Sequence, residues 1–300
     1  MMRVKLAPLV AVAAAFVSLT ARAESGFGLL NMTQGVTVMS REIYGLHMKI
    51  FWVCVVIAVI VFGVMIYSIV TFRKSKGAVP DVTLVHNTKV EFIWTVVPVF
   101  ILIAMAIPAA RTLVQIEDTT RTELTIKVTG FQWGWQYDYL DDGVAYYSRL
   151  DRASDAAREM RSGIDPNTVE HYLLNVDHPL VVPVDTKVRL LITGADVIHS
   201  WWVPDFGVKK DAIPGFVNEA WFKIDTDKAG LYRGQCAELC GRDHGFMPIV
   251  VDARSKEDFA AWLKAAAAQQ KAAQPAAATA PPAATPASGR VSPSVSPSAS

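Results

Sequence analysis

Two long stretches of the chain carry no charged residue, and they precede a region in which apolar and polar residues alternate. The first stretch covers 50–70 and the second covers 92–110. At about 1.5 Å per helical residue, each is long enough to cross a hydrocarbon layer of roughly 30 Å. The pattern therefore predicts transmembrane helices at 43–72 and 90–110.

The first residues have the features of an export signal. Arg3 and Lys5 precede a short apolar run at 7–19, and an Ala-Arg-Ala sequence provides a cleavage site. A third transmembrane helix would need roughly 20 apolar residues, which this run does not supply. We therefore expect a cleaved signal peptide at 1–23, followed by a periplasmic segment at 24–42.

Basic residues predict the orientation of the helix pair. The connection at 73–89 contains Arg73, Lys74, Lys76 and Lys89. Loops rich in Lys and Arg stay in the cytoplasm, so both ends of the mature chain should face the periplasm. The export signal agrees with this orientation, and together they predict a multi-pass protein of a bacterial inner membrane.

The region after the second helix alternates as β-strands do. Leu124, Ile126 and Val128 fall on one face of a strand predicted at 122–129. A hairpin turn is predicted at Asp141-Asp142-Gly143. Short strands at such spacing favour a sandwich or small barrel, which we place at 115–265. Further strands are predicted at 179–184, 187–193, 220–224, 231–235 and 248–251.

Three segments differ from this strand pattern. The stretch at 153–170 has many charges and few large apolar residues, so it should leave the core as an excursion. Ser255 is predicted to cap a terminal helix. The Ala/Pro/Ser-rich tail at 269–300 should be disordered, because it offers little apolar surface to bury.

Composition narrows the function classes. The 52% hydrophobic content suits a membrane protein, and 29 basic against 28 acidic residues give no sign of a nucleic-acid-binding domain. Three cysteines are too few for a disulfide framework, and Cys54 lies within an apolar stretch. Cys236 and Cys240 are therefore the natural pair.

The segment at 236–247 carries the candidate chemistry. It contains two thiols, an imidazole and a thioether, from Cys236, Cys240, His244 and Met247. Such soft donors select copper, and a His/Cys set with a weak Met is the ligand pattern of mononuclear electron-transfer copper sites. A second cysteine allows both sulfur atoms to bridge two metal ions. The second imidazole should come from His199, directly after a predicted strand.

Two alternatives remain open for these residues. Cys236 and Cys240 could form a disulfide in an oxidising compartment, but His244 and Met247 would then have no purpose. Two Cys and two His could bind zinc, which does not use Met247. A c-type haem requires Cys-x-x-Cys-His, which the spacing does not match.

With its Cys-x-Glu-x-Cys-Gly-x-x-His-x-x-Met loop and upstream His-Ser-Trp, the chain resembles subunit II of the haem-copper cytochrome c oxidases over roughly 40–265. The resemblance implies a two-helix transmembrane hairpin plus an all-β cupredoxin-like sandwich or barrel domain. It also implies a dinuclear copper A centre in which Cys236 and Cys240 bridge the two copper ions. The remaining ligands would be His199, His244, Met247 and the backbone carbonyl of Glu238.

The same resemblance implies a function and partners. The chain would accept electrons from reduced cytochrome c and pass them to haem in the catalytic subunit I, where oxygen is reduced to water and protons are pumped. The side chain of Glu238 would bind a magnesium ion shared with that subunit. The alternative is a copper A domain of a nitrous oxide or nitric oxide reductase type, although nitrous oxide reductases lack this pair of anchoring helices.

Further residues receive roles by resemblance. Trp133 matches the position at which electrons enter, and Glu91 matches an acid near a proton-uptake route. Phe216 departs from the family, which usually has arginine there. A cytochrome c ringed by lysines would dock on acids near Trp133, for which the candidates are Asp141, Asp142, Asp177 and Asp196.

Overall fold

The computed structural model of the chain describes residues 31–79, 82–83 and 86–273. The predicted signal peptide at 1–23 lies outside the described residues, as does the predicted tail from residue 274 onward.

Two helices precede the β domain. α1 spans Val38–Thr71 and α2 spans Thr88–Ile116, and both are long and apolar enough to cross a membrane. α2 extends beyond its predicted bounds at both ends, whereas α1 begins before the predicted residue 43 and ends within the predicted range. α1 begins at a capping box formed by Thr37 and Ser40, and the side chain of Asn87 caps α2. The uncharged residues thus mark the C-terminal part of α1 and the middle of α2.

Among the described residues, ten strands pack as two five-stranded sheets. The first sheet has the order β3-β2-β1-β5-β8 and the second has β4-β10-β9-β6-β7. β1 is parallel to β5 and β4 is parallel to β10, whereas the other pairs are antiparallel. The predicted sandwich is confirmed. The strands are Leu124–Phe131 (β1), Gly134–Tyr139 (β2), Val144–Ser148 (β3), Leu180–Pro183 (β4), Val188–Gly194 (β5), His199–Val203 (β6), Val208–Ala212 (β7), Asn218–Phe222 (β8), Gly230–Cys236 (β9) and Pro248–Arg254 (β10).

The core lies between the sheets and follows the alternation in the sequence. Ile126 and Val128 of β1 are fully buried, as are Leu190 and Ile192 of the neighbouring β5. Burying each large apolar side chain stabilises the fold by roughly 1.5–3 kcal/mol. Trp135 of β2 is also fully buried, and it extends this core toward the end of the sandwich that carries Met247.

Four strands had no counterpart in the sequence prediction, namely β2, β3, β6 and β7. β3 and β7 are short edge strands of five residues each. β6 is buried on both faces, so it shows no alternation. The predicted hairpin turn is confirmed, because Asp142 and Gly143 both donate backbone hydrogen bonds to Tyr139 between β2 and β3.

The excursion and the last helix differ from expectation. The excursion contains α3, Arg152–Arg158, which buries Ser154 and Ala157 against the domain. Ser255 caps the last helix as predicted, by accepting a hydrogen bond from the Asp258 amide. That helix, α4, spans Lys256–Ala273, so the prediction that residues 269–273 are disordered is wrong. Alanine has the highest helix propensity, which accounts for the extension.

The β domain is attached to both membrane helices. Near the start of α1, Arg41 forms an ion pair with Asp225. Near the end of α2, Trp221 Nε1 donates a hydrogen bond of 3.2 Å to the carbonyl oxygen of Gln115. These two helix ends therefore hold the domain on one side of the helix pair.

Candidate metal centre

The candidate ligands lie at one end of the sandwich, where β6, β9 and β10 meet. β9 ends at Cys236, which pairs with Trp201 of β6, and the loop at 237–247 leads into β10. Cys240 and Met247 lie in this loop and are buried. Because hydrogen-bonded strands fix both ends of the loop, its donor side chains are directed into the domain.

The sulfur atoms of the loop form one cluster. Cys236 Sγ lies 3.9 Å from Cys240 Sγ, and both thiols are free. Cys240 Sγ also lies 3.4 Å from Met247 Sδ and 3.5 Å from His244 Nδ1. The cysteines are therefore not joined as a disulfide, and a thioether faces the same space as the thiols, which is typical of copper rather than zinc sites.

His199 completes the cluster from another strand. It is the first residue of β6 and is fully buried. One of its ring nitrogens lies within 4.8 Å of both cysteine sulfur atoms. Nε2 is 2.9 Å from Asp196 Oδ1, whereas the buried Nδ1 has no hydrogen-bond partner among the described residues. An orphaned buried nitrogen beside two thiols fits a metal ligand.

Gly130 and Trp135 fix the position of the His199 ring. A Cβ atom at Gly130 of β1 would lie 2.9 Å from His199 Cδ2, so only glycine leaves room for the imidazole. Trp135 packs edge-on against the imidazole with 6.1 Å between ring centroids. Its Nε1 donates a hydrogen bond of 3.3 Å to the carbonyl oxygen of Met247.

The two thiols differ in acidity. Burial by itself raises the pKa of Cys236, but the neighbouring imidazoles of His199 and His244 and the backbone at Ser200 and Glu238 outweigh it and lower the pKa to about 7. Burial raises the pKa of the Cys240 thiol, and negative charge on Cys236 raises it further. Cys236 is therefore the more acidic thiol, and a bound cation would favour the ionisation of both.

The backbone and the side chain of Glu238 have different surroundings at this site. Its carbonyl oxygen lies 3.3 Å from Cys236 Sγ and faces the cluster. Its side chain is exposed, as is that of the next residue, Leu239, which is 78% exposed. One residue thus offers oxygen atoms to two different places.

Gln132 and Trp133 hold the loop from the turn between β1 and β2. Gln132 Nε2 and Trp133 Nε1 both donate hydrogen bonds to the carbonyl oxygen of Cys240, at 2.9 and 3.2 Å. Trp133 is half-buried, and the Arg242 guanidinium lies 5.6 Å from its ring centroid. The predicted site of electron input therefore contacts the backbone of a candidate ligand.

Two of the acids proposed for docking do not lie near Trp133. Asp141 and Asp142 occupy the turn at the opposite end of β2, a strand of six residues that spans about 20 Å. Their predicted placement is wrong, because a hairpin puts its turn one strand length away. Asp177 accepts a hydrogen bond of 2.8 Å from the Arg149 amide.

Asp196, the fourth acid, is bonded to residues around the cluster. Its Oδ1 meets His199 Nε2, and its Oδ2 accepts a hydrogen bond of 2.8 Å from the Gln132 amide. Burial opposes ionisation here, but bonds from His199 and from the amides of Val197 and Gln132 lower the pKa of Asp196. Its carboxylate therefore orients the imidazole of His199, a candidate ligand, and remains 36% exposed.

Glu91 lies far from this centre, in the first turn of α2. Its Oε1 accepts a hydrogen bond of 3.0 Å from the Asn87 amide, so it helps to cap the helix. The structure therefore gives Glu91 a structural contact at the start of α2, which is remote from the β domain.

The sequence did not predict that three residues lie beside the candidate ligands. These are Gly130, Gln132 and Asp196. Each belongs to a strand end or turn that meets the loop only after the sheets form. The one available signal was the position of Asp196 three residues before His199, within reach of its ring.

Two family models match the chain. That of the cytochrome c oxidase subunit II periplasmic domain matches residues 124–254, and that of the subunit II transmembrane domain matches residues 26–111. Together they cover α1, most of α2 and the strands that carry the cluster.

This chain is also similar to curated relatives and to a solved structure. The probable cytochrome c oxidase subunit 2 of Rickettsia bellii is 39% identical, over 78% of this chain and 81% of the relative. Cytochrome c oxidase subunit 2 of Cereibacter sphaeroides is 36% identical, over 76% and 77%. The periplasmic domain of subunit II of cytochrome oxidase (CoxB) of Bradyrhizobium japonicum is 43% identical with a TM-score of 0.42, over 50% of this chain and 96% of that domain.

Proposed function

The chain belongs to the cytochrome c oxidase subunit II family, and from that premise we propose that its β domain holds a dinuclear copper centre that accepts electrons from cytochrome c. As a member of this family it is a subunit of an oxidoreductase. The alternative, a copper A domain of another respiratory reductase, is not favoured, since the subunit II models match both the helices and the β domain.

The buried Nδ1 of His199 carries the proposal. It lacks a hydrogen-bond partner among the described residues, while its ring lies against two free thiols. A buried imidazole nitrogen without a partner costs roughly 1–3 kcal/mol. Binding a metal ion removes that cost, and a set of thiolates, imidazoles and a thioether favours copper.

We assign the ligands as follows. The thiolates of Cys236 and Cys240 would bridge two copper ions, and the other donors would bind one ion each. When bound, the copper pair supplies one-electron transfer with little change of geometry. The other donors are His199, His244, Met247 through its thioether and Glu238 through its carbonyl oxygen.

Electrons would reach the centre through Trp133. The hydrogen bond from its indole to the Cys240 carbonyl oxygen supports this role, since it links the half-buried ring to the loop. Asp196 is the acid best placed to meet a lysine of the donor, because it is partly exposed and bonded to the Gln132 amide beside Trp133. Asp177 could assist through its exposed carboxylate.

We propose that the β domain lies in the periplasm of a bacterium, with α1 and α2 in the inner membrane beside the catalytic subunit. The exposed carboxylate of Glu238 would bind a magnesium ion at that contact, since carboxylate oxygens suit hard cations. Haem would belong to the catalytic subunit alone. Glu91, at the opposite end of the membrane helices, would lie near a proton-uptake route in that subunit.

Metal analysis of the full-length chain tests the copper proposal. We expect two copper ions per chain and a mixed-valence electron paramagnetic resonance spectrum shared equally by two nuclei. Cys240→Ser should lose this spectrum, whereas Cys54→Ser, altered in α1, should keep it. One copper with a four-line spectrum, or a single zinc ion, would contradict the assignment.

A further inference from the structure

The segment at 149–178, between β3 and β4, has no part in the proposed copper site, yet it packs against the loop that carries His244. The side chain of Asp151 caps the first turn of its helix α3. Ser154 is fully buried, and its Oγ accepts a hydrogen bond of 3.1 Å from the Leu173 amide. α3 is thus held at a fixed position on the domain.

Arg158, the last residue of α3, contacts the ligand loop at two points. Its guanidinium carbon lies 4.4 Å from the ring centroid of Phe246, and its Nη1 lies 3.6 Å from Asp243 Oδ1. Asp155 of the same helix fixes the guanidinium through Nε at 2.7 Å. The side chains of Arg158 and Asp243 are only 25% and 15% exposed, so water screens their attraction less than it would at an open surface.

The two contact points lie on either side of His244. His244 begins a short 3₁₀ turn, in which the Phe246 amide donates a hydrogen bond of 2.9 Å to the Asp243 carbonyl oxygen. The His244 amide donates one of 3.3 Å to Gly241. A group that binds both Asp243 and Phe246 therefore restrains the turn that directs the His244 ring toward Cys240.

We propose that Arg158 is a positioning residue for His244. By binding Asp243 and Phe246 it holds the turn in the conformation that presents His244 Nδ1 to the cluster. The segment at 149–178 serves to carry this arginine to the loop. The inference rests on the proposed function only for the ligand role of His244, because the contacts restrain the turn with or without metal.

Hydrogen exchange in the metal-free, full-length chain tests the restraint. In Arg158→Gln, the amides of His244 and Phe246 should exchange about tenfold faster than in the wild type, because the turn opens locally more often. Arg158→Lys keeps the cation and should recover part of the protection. Arg152→Gln, at the exposed first position of α3, is the matched control and should exchange as the wild type does. Wild-type exchange in Arg158→Gln would overturn the proposal.

Copper-loaded protein gives a second readout. Arg158→Gln should change the nitrogen hyperfine coupling of His244 and speed copper loss by about tenfold, an effect of the size seen for groups that orient metal ligands. A wild type that binds no copper would defeat the proposed function, while the exchange comparison would still decide the role of Arg158. If Arg158→Gln does not fold, Phe246→Leu and Asp243→Asn remove the same contacts singly, and unchanged exchange in both would overturn the proposal.

Discussion

Trp133 Nε1 donates a hydrogen bond of 3.2 Å to the carbonyl oxygen of Cys240. Gly241, which follows Cys240, makes this contact sterically possible. Gly241 has a φ of +116°, and a Cβ atom there would lie 3.1 Å from the Trp133 ring. The indole and the ligand loop therefore depend on each other for their positions.

Trp133→Phe should slow the reduction of the centre by cytochrome c while leaving the copper content unchanged. The variant keeps an aromatic ring but removes the hydrogen bond to Cys240. We expect the rate of reduction to fall by at least about tenfold, which corresponds to an increase of about 1.4 kcal/mol in the activation free energy. Stopped-flow absorbance of the copper centre in the assembled oxidase measures it.

Trp221→Phe is the control, because it removes an indole hydrogen bond at the membrane end of the domain, to Gln115. Its reduction rate should equal that of the wild type. A wild-type rate in Trp133→Phe would exclude Trp133 as the site of electron input.

Asp196→Asn should weaken copper binding through His199. The carboxylate accepts a hydrogen bond from Nε2–H, which keeps Nδ1 available as a ligand and raises its basicity. An asparagine keeps the shape but removes the charge, so we expect copper affinity to fall by about tenfold or more. Competition against a copper chelator measures the change, with Asp142→Asn as the control. Unaltered affinity would mean that packing by Trp135 and Gly130 alone orients His199.

Asp141→Asn and Asp142→Asn should leave electron transfer from cytochrome c unchanged. Both residues lie one strand length from Trp133, and screening weakens interactions between exposed charges over more than about 8–10 Å at physiological salt. The rate of reduction should be measured as a function of ionic strength. A lower rate and a weaker salt dependence in either variant would show that the donor covers the whole length of β2.

The sequence was informative where the chemistry is local. The four donors of the loop lie within 236–247, so their spacing could be read directly. His199 was identified by its position after a predicted strand and by the His-Ser-Trp sequence, and it in fact begins β6, which shows no alternation because both of its faces are buried. The residues that shape the site, such as Gly130 and Gln132, reach it through pairing between distant strands, and no local pattern encodes such contacts.

Gly130→Ala tests whether the backbone of β1 shapes the centre. The added Cβ would lie 2.9 Å from His199 Cδ2 and 3.0 Å from its Cβ and Cγ. β1 cannot move away easily, since Gly130 is paired with Trp135 on one side and Gly194 on the other. The imidazole must therefore shift, and we expect a loss of about 1–3 kcal/mol in the free energy of unfolding.

A second glycine variant distinguishes a clash with His199 from the general effect of adding a methyl group near the site. Gly245→Ala is the matched control, because its Cβ would meet nothing within 4 Å although it lies beside His244. Thermal unfolding should show a lower midpoint, and metal analysis a lower copper content, in Gly130→Ala alone. If both variants kept the wild-type midpoint and copper content, His199 would have room to adapt, and the close approach at Gly130 would not set its position.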